Sequence, residues 1–246
     1  MTQKIYNSIL LAAAKDQPCL AILIDPEKFN LENTANFLET LPNTTTHLLV
    51  GGSTVEGERC EQTVASLKNH TALPIVLFPG DYHQITPKAD AVLFLSLLSG
   101  RNPEYLIGQQ VKAVRQLEKL TLEVIPTAYL LIDGGTESAV AHVSETQAMP
   151  QEQIEAIVHT AKAGEYMGAQ LIYLEAGSGA IHPVHPAIIS AVKEVVQIPL
   201  IVGGGIRTEA QKMAAYQAGA HMVVMGTAYE TNHQVDPSTT NKNLIA

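Results

Sequence analysis

The chain has 246 residues, 46% of them hydrophobic, and a formal net charge of −9. That length and apolar content suit one α/β barrel with a large core and exclude a disordered chain. The acidic balance without a basic face argues against a nucleic-acid binder, no apolar run approaches the ~20 residues that span a bilayer, and no signal-peptide pattern opens the chain.

Residues 4–16 predict a helix with Ile5, Ile9, Ala12 and Ala13 on one face. The two cysteines, Cys19 and Cys60, have no metal-ligand spacing, which suits buried thiols in a reduced, cytoplasmic protein. Residues 20–24 form a short continuous apolar run that stops at Asp25-Pro26, as expected of a parallel strand buried on both faces. Similar runs follow at 47–50 before Gly51-Gly52-Ser53, at 75–78 before Pro79-Gly80, and at 91–98 before Ser99-Gly100. The segment between Pro79 and Ala91 is too short for a barrel helix and predicts an irregular link with at most one turn. Asn102-Pro103 starts a helix, with Ile107, Val111, Val114 and Leu117 expected inward. A fifth strand is predicted over 122–132, followed by a long polar segment, 134–150, that reads as a mobile loop on the catalytic side. Ile154, Ile157, Val158 and Ala161 carry helical spacing. The last three strands are 171–174 before Glu175, 201–202 before Gly203-Gly204-Gly205, and 223–225 before Gly226-Thr227. Eight βα units predict a single (β/α)₈ TIM barrel over residues 1–230, irregular after its third strand, with a polar tail at 231–246.

The strand ends carry the chemistry. Glycines after strands seven and eight let backbone amides approach an anion, and Thr208-Glu209-Ala210-Gln211 is a capping box that opens a helix there. In barrels the last two strands commonly supply a phosphate cradle. Asp25 suits either a Mg²⁺ ligand or a turn cap, and Ser53, on the neighbouring strand, either a second ligand or a turn serine. Tyr173 and Glu175 share a face by the two-residue period of a strand, and Gly177-Ser178-Gly179 offers further amides. Arg101 is placed either near a second phosphate or in solvent at a helix start, and His182 and His185 read as loop histidines. No Lys lies in a predicted strand, which argues against a Schiff-base aldolase. Two competing readings are a flavin-mononucleotide oxidoreductase and a non-catalytic binder of a phosphate ligand. The first has no need of Asp25 with Ser53, and the second has no need of Glu175.

Taken in order, Leu23-Ile24-Asp25-Pro26-Glu27-Lys28, Val50-Gly51-Gly52-Ser53, Tyr173-Leu174-Glu175-Ala176-Gly177-Ser178-Gly179, Gly203-Gly204-Gly205-Ile206-Arg207 and Gly226-Thr227 resemble the geranylgeranylglyceryl phosphate synthase family, which includes bacterial heptaprenylglyceryl phosphate synthases. The resemblance spans about residues 20–227. It implies that an allylic polyprenyl diphosphate alkylates the C3 hydroxyl of sn-glycerol 1-phosphate, releasing pyrophosphate and forming an ether-lipid precursor. It implies Asp25 and Ser53 as Mg²⁺ ligands. It implies Tyr173, Leu174, Glu175, Ala176, Gly177, Ser178, Gly179, Gly204, Gly205, Gly226 and Thr227 as glycerol-phosphate contacts. Glu175 is expected as the catalytic base and Tyr173 as a catalytic ring against the allylic cation. Some members carry Lys two residues before the Asp. Leu23 stands there in this chain and Lys28 follows instead, as in the branch with archaeal and some bacterial enzymes, leaving the role of Lys28 open. The prenyl tail is expected in the gap after strand three and along residues 125–130. A homo-oligomer with peripheral membrane contact completes the expectation.

Overall fold

The structure, a computed structural model, describes residues 3–230. The expected polar tail at 231–246 lies outside the described residues.

Eight parallel strands close into one barrel in chain order, β8 pairing back onto β1. They are β1 Cys19–Ile24, β2 Thr45–Val50, β3 Ile75–Leu77, β4 Ala91–Leu97, β5 Glu123–Leu131, β6 Leu171–Glu175, β7 Leu200–Gly203 and β8 Met222–Met225. Each predicted run is a strand because its alternate residues serve two different cores. Ala21, Leu49, Leu93, Tyr173, Ile201 and Val224 fill the barrel interior. Their neighbours Ile22, Leu48, Val92, Leu174 and Val202 pack outward, against the helices. This double burial explains why the strands read as continuous apolar runs instead of alternating ones.

The helices are α1 Lys4–Ala14, α2 Thr34–Thr40, α3 Gly57–Lys68, α4 Gln109–Leu117, α5 Ala139–Ser144, α6 Ile154–Tyr166, α7 Pro186–Val195, α8 Glu209–Gln217 and α9 Thr227–Glu230. No helix among the described residues is long and apolar enough to cross a membrane. Between β3 and β4 there is only a 3₁₀ turn, Tyr82–Gln84, so the ring of helices has the expected gap. The α8 capping box forms as expected, with the Gln211 amide donating to Thr208 Oγ1 at 3.2 Å. Cys19 and Cys60 are buried and free.

Two expectations are corrected. The first concerns α4. Ile107, Val111 and Val114 are 58%, 65% and 43% exposed, and the inward side chains are Gln110, Ala113 and Leu117. A π-helical turn over Glu104–Gly108 precedes α4. Its extra residue shifts the phase of α4 by about 100°. Gln110 also turns inward because its side-chain amide donates to the Leu95 carbonyl of β4. The second concerns 134–150, which is more than a loop. It contains α5, capped by buried Ser138, whose hydroxyl accepts from the Ala141 amide at 3.1 Å. Asn102 Nδ2 and Tyr105 Oη donate to the Ser144 and Val143 carbonyls at 2.8 and 2.9 Å, and a bridge joins Ile132 to Met149.

The N-terminal end of the barrel is plugged by α1, whose Ile5, Tyr6, Ile9 and Ala12 join the interior cluster. Its first amides are held by a buried carboxylate. Glu123, 4% exposed at the start of β5, accepts from Ile5 N and Tyr6 N, each at 2.8 Å. This satisfies two orphan donors and places negative charge at the helix N-terminus. Glu123→Ala should therefore cost about 1–3 kcal/mol in chemical denaturation and speed amide exchange in α1 more than in β5–β7. Unchanged exchange in α1 would contradict this anchoring.

Candidate active site

The C-terminal strand ends converge on one cavity of about 370 Å³. This lies within the size range of small-ligand sites, roughly 300–1,000 Å³. One side is polar, with Asp25, Lys28, Ser53, Glu175, Ser178 and Arg207. The other is apolar, with Phe78, Leu93, Leu95, Tyr105, Tyr129 and Val140, and it runs out through the gap after β3 towards α4.

Glu175 ends β6 at the floor of the polar side and is 6% exposed. Burial pushes its carboxyl up to about 7, against partial lowering by the Gly177 amide and the Tyr173 hydroxyl. Gly177 N donates to Oε1 at 2.8 Å. The carboxylate fits only because two glycines face it. A Cβ on Gly203 would stand 2.7 Å from Oε2, and one on Gly204 2.3 Å from Oε1. Gly204 also has φ +78°, a conformation side chains disfavour. The glycines at the end of β7 thus make room for an acid as well as for an anion.

Tyr173 is placed differently from its expected role. It is fully buried beneath the cavity, stacked on Phe78 with ring centroids 5.2 Å apart, and is not part of the cavity wall. Its hydroxyl also crowds the space over Gly203, 2.7 Å from a Cβ there, yet it makes no well-formed hydrogen bond. Burial and the neighbouring Glu175 charge raise its pKa well above the usual phenol value. Of the aromatic residues that line the cavity, Phe78 and Tyr129 are the two in ring contact with Tyr173. The Tyr129 hydroxyl is buried and also without a partner. Of the segment 125–130, only Tyr129 reaches the cavity, because Ile125 points into the barrel interior below it.

The remaining expected residues divide by orientation. Leu174 and Ala176 face the outer core, so their contribution to the site is through the main chain. The Ala176 amide donates to the Gly203 carbonyl at 3.0 Å, and the Gly177 amide is taken by Glu175. The amides of Ser178, Gly179, Gly204, Gly205 and Gly226 donate to no described group. Ser178, Gly204, Gly205, Gly226 and Thr227 all line the cavity, whereas Gly179 lies outside its wall. This leaves an anion cradle of unused N–H groups beside the Arg207 side chain, which is held by the Ala180 carbonyl at 2.7 Å.

Asp25 and Ser53 are brought together across the β1–β2 pair, where Ile24 aligns with Val50. Asp25 Oδ1 accepts from Glu27 N at 3.1 Å, so Asp25 serves as a turn cap while also facing the cavity. Its other oxygen is 3.0 Å from Lys28 Nζ. Among the described residues no three His, Cys, Asp or Glu side chains gather as a metal cluster. One carboxylate and one hydroxyl make an open, hard-oxygen donor set. That fits Mg²⁺, which keeps waters and takes phosphate oxygens alongside one or two protein ligands. Arg101 is not at the cavity; it donates to the Leu98 and Gly100 carbonyls at 2.8 and 2.7 Å. His185 caps α7 by accepting from the Ala187 amide at 3.2 Å.

Residues 15–242 match the PcrB family. A protein named geranylgeranylglyceryl phosphate synthase from Zunongwangia profunda is 55% identical over 227 residues, covering 92% of this chain and 97% of that relative. One of the same name from Thermococcus kodakarensis is 45% identical over 190 residues, covering 77% of this chain and 75% of its own length. The crystal structure of (S)-3-O-geranylgeranylglyceryl phosphate synthase from Thermoplasma acidophilum, in complex with the substrate sn-glycerol-1-phosphate, superposes with a TM-score of 0.85 at 34% identity, covering 94% of this chain and 92% of that one. The barrel, the acid at the end of β6, the glycine-lined cradle and these relatives agree: the chain belongs to the PcrB family.

Proposed function

We propose that this protein is a prenyltransferase that joins a polyprenyl diphosphate to the C3 hydroxyl of sn-glycerol 1-phosphate. The observation that carries the reading is one cavity with a buried acid between an amide cradle and an apolar arm. The phosphate of glycerol phosphate sits on the unused amides of Ser178, Gly204, Gly205 and Gly226, near Arg207 and Thr227. In a chain of net charge −9, such local donors supply the attraction that the overall charge does not. The glycerol hydroxyls then lie against Glu175.

Asp25 and Ser53 hold Mg²⁺ in this reading, and the ion, when bound, neutralises charge on the diphosphate. Glu175 accepts the C3 hydroxyl proton as O3 bonds to the allylic carbon. The bond from that carbon to the diphosphate oxygen breaks, and its electron pair leaves with pyrophosphate. Phe78 and Tyr129 present ring surface to the allylic carbon as it gains positive charge, with Tyr173 supporting them from below. The apolar arm excludes water and holds the tail, for which we assign a geranylgeranyl chain. The cytoplasm is the expected compartment. Self-association or contact with a lipid surface is assigned to the exposed Ile107, Val111 and Val114 stripe of α4.

The direct test is incubation with labelled sn-glycerol 1-phosphate, Mg²⁺ and prenyl diphosphates of graded length. Label should pass into the organic phase, most rapidly with the geranylgeranyl donor, and no transfer with any donor would refute the reading.

Two substitutions test the roles. Glu175→Gln should lower single-turnover transfer by about 10²–10⁴-fold while glycerol-phosphate affinity by calorimetry is retained. Near-normal transfer would make Glu175 structural. Asp25→Asn should abolish transfer and leave the melting temperature near that of wild type, since the Asp25 side chain is partly exposed and Asn keeps the oxygen that accepts from Glu27 N. Full turnover at saturating Mg²⁺ would remove Asp25 from the metal site.

A further inference from the structure

Gln84 is 1% exposed in the 3₁₀ turn after β3, and it is absent from the cavity wall. Its side chain nevertheless ties two loops that form that wall. Oε1 accepts from Gly80 N at 3.2 Å and from Gly52 N at 3.4 Å, and Nε2 donates to Gly52 O at 2.8 Å. One side-chain amide thus satisfies both backbone groups of Gly52 and the amide of Gly80. The loops are in contact there, since a Cβ on Gly80 would stand 2.4 Å from Gly52 O and 2.8 Å from Ser53 Cα. Asp25 Oδ1 lies over the same turn, 3.2 Å from a Cβ position on Gly52. The Gln84 turn is itself pinned to α3, where Cys60 Sγ donates to the Gln84 carbonyl at 3.4 Å, and to α4, where Tyr82 N donates to Gln109 Oε1 at 3.1 Å.

Gly51-Gly52-Ser53 is a stretch that backbone preference alone leaves loose, because glycine has the most freedom to lose. The β3–β4 link has no packed helix to stiffen it. Gln84 supplies the missing restraint from behind the wall. We propose that Gln84 is a positioning residue for the diphosphate end of the site, locking Gly52 and Gly80 so that Ser53 and Asp25 face the diphosphate of the prenyl donor. The assignment rests on the prenyl-transfer reading. It separates the two substrates: the glycerol-phosphate cradle belongs to β6, β7 and β8, and Gln84 touches none of it.

The experiment compares wild type, Gln84→Met and Gln84→Glu. Met keeps the bulk and removes all three hydrogen bonds. Glu keeps the acceptors but sets a carboxylate against Gly52 O. Calorimetry with magnesium pyrophosphate should show affinity weakened at least about tenfold in each folded variant, the range typical of lost support behind metal ligands. The KM for the prenyl diphosphate should rise in parallel, and affinity for sn-glycerol 1-phosphate should be unchanged. In wild type without ligands, the Gly52 and Gly80 amides should exchange slowly, a readout that needs no variant. Fast exchange at both, or pyrophosphate affinity equal to wild type in whichever variant folds, overturns the role of Gln84. A wild type that transfers no prenyl group overturns the functional reading instead.

Discussion

Glu175 is a carboxyl group placed where water cannot easily solvate its charge, at the top of a barrel interior filled by Tyr173, Leu131 and Ile201. Its folded pKa, about 7, lies above the value of 4.5 for a free glutamate. The folded protein therefore holds this proton more tightly than the unfolded chain does. Ionisation costs stability progressively as pH rises from about 4.5 to about 7. Much of the local architecture follows from housing this group. Gly203 and Gly204 lack side chains where Oε2 and Oε1 stand, and the Gly177 amide turns back to bind Oε1. An acid poised near neutrality can take a proton from an alcohol and release it to water within one turnover.

The cavity solves an electrostatic problem. In the proposed reaction two phosphate-bearing substrates meet in an acidic protein. Local backbone N–H groups and Arg207 provide positive potential at one side, and the apolar arm that would take the tail of the proposed donor runs out through the gap after β3. That gap follows from one short connection, with only the turn Tyr82–Gln84 in place of a helix. The missing helix leaves the apolar side of the wall open. It also removes the packing that would hold the β2 and β3 loops, so buried polar side chains take over that duty.

The barrel was legible because strands buried on both faces are continuous apolar runs, and nearly every run here ends in polar or glycine residues. Asp25, Ser53, Glu175 and the glycine pairs could be read for the same reason: strand ends on one edge of a closed barrel must converge. Side-chain direction was less legible. The period of β6 put Tyr173 and Glu175 on one face, but it could not say that Tyr173 lies one layer too deep to line the cavity. The stripe Ile107, Val111 and Val114 reads as an inward face, yet the π-helical turn before α4 rotates it to the surface. Gln84, Gln110 and Glu123 carry no signal at all. Their importance lies in hydrogen bonds between segments far apart in sequence, which neither periodicity nor spacing encodes.

The most direct measurement is a carbon-13 NMR titration of the Glu175 side-chain carboxyl, assigned with Glu175→Gln, run beside the pH dependence of single-turnover transfer. The midpoint should lie near 7 in the free protein, far above an ordinary glutamate, and the transfer rate should climb with pH through the ionisation of this group. A midpoint near 4.5 together with a rate flat across neutrality would contradict the role of Glu175, and would move the proton acceptor elsewhere in the cavity.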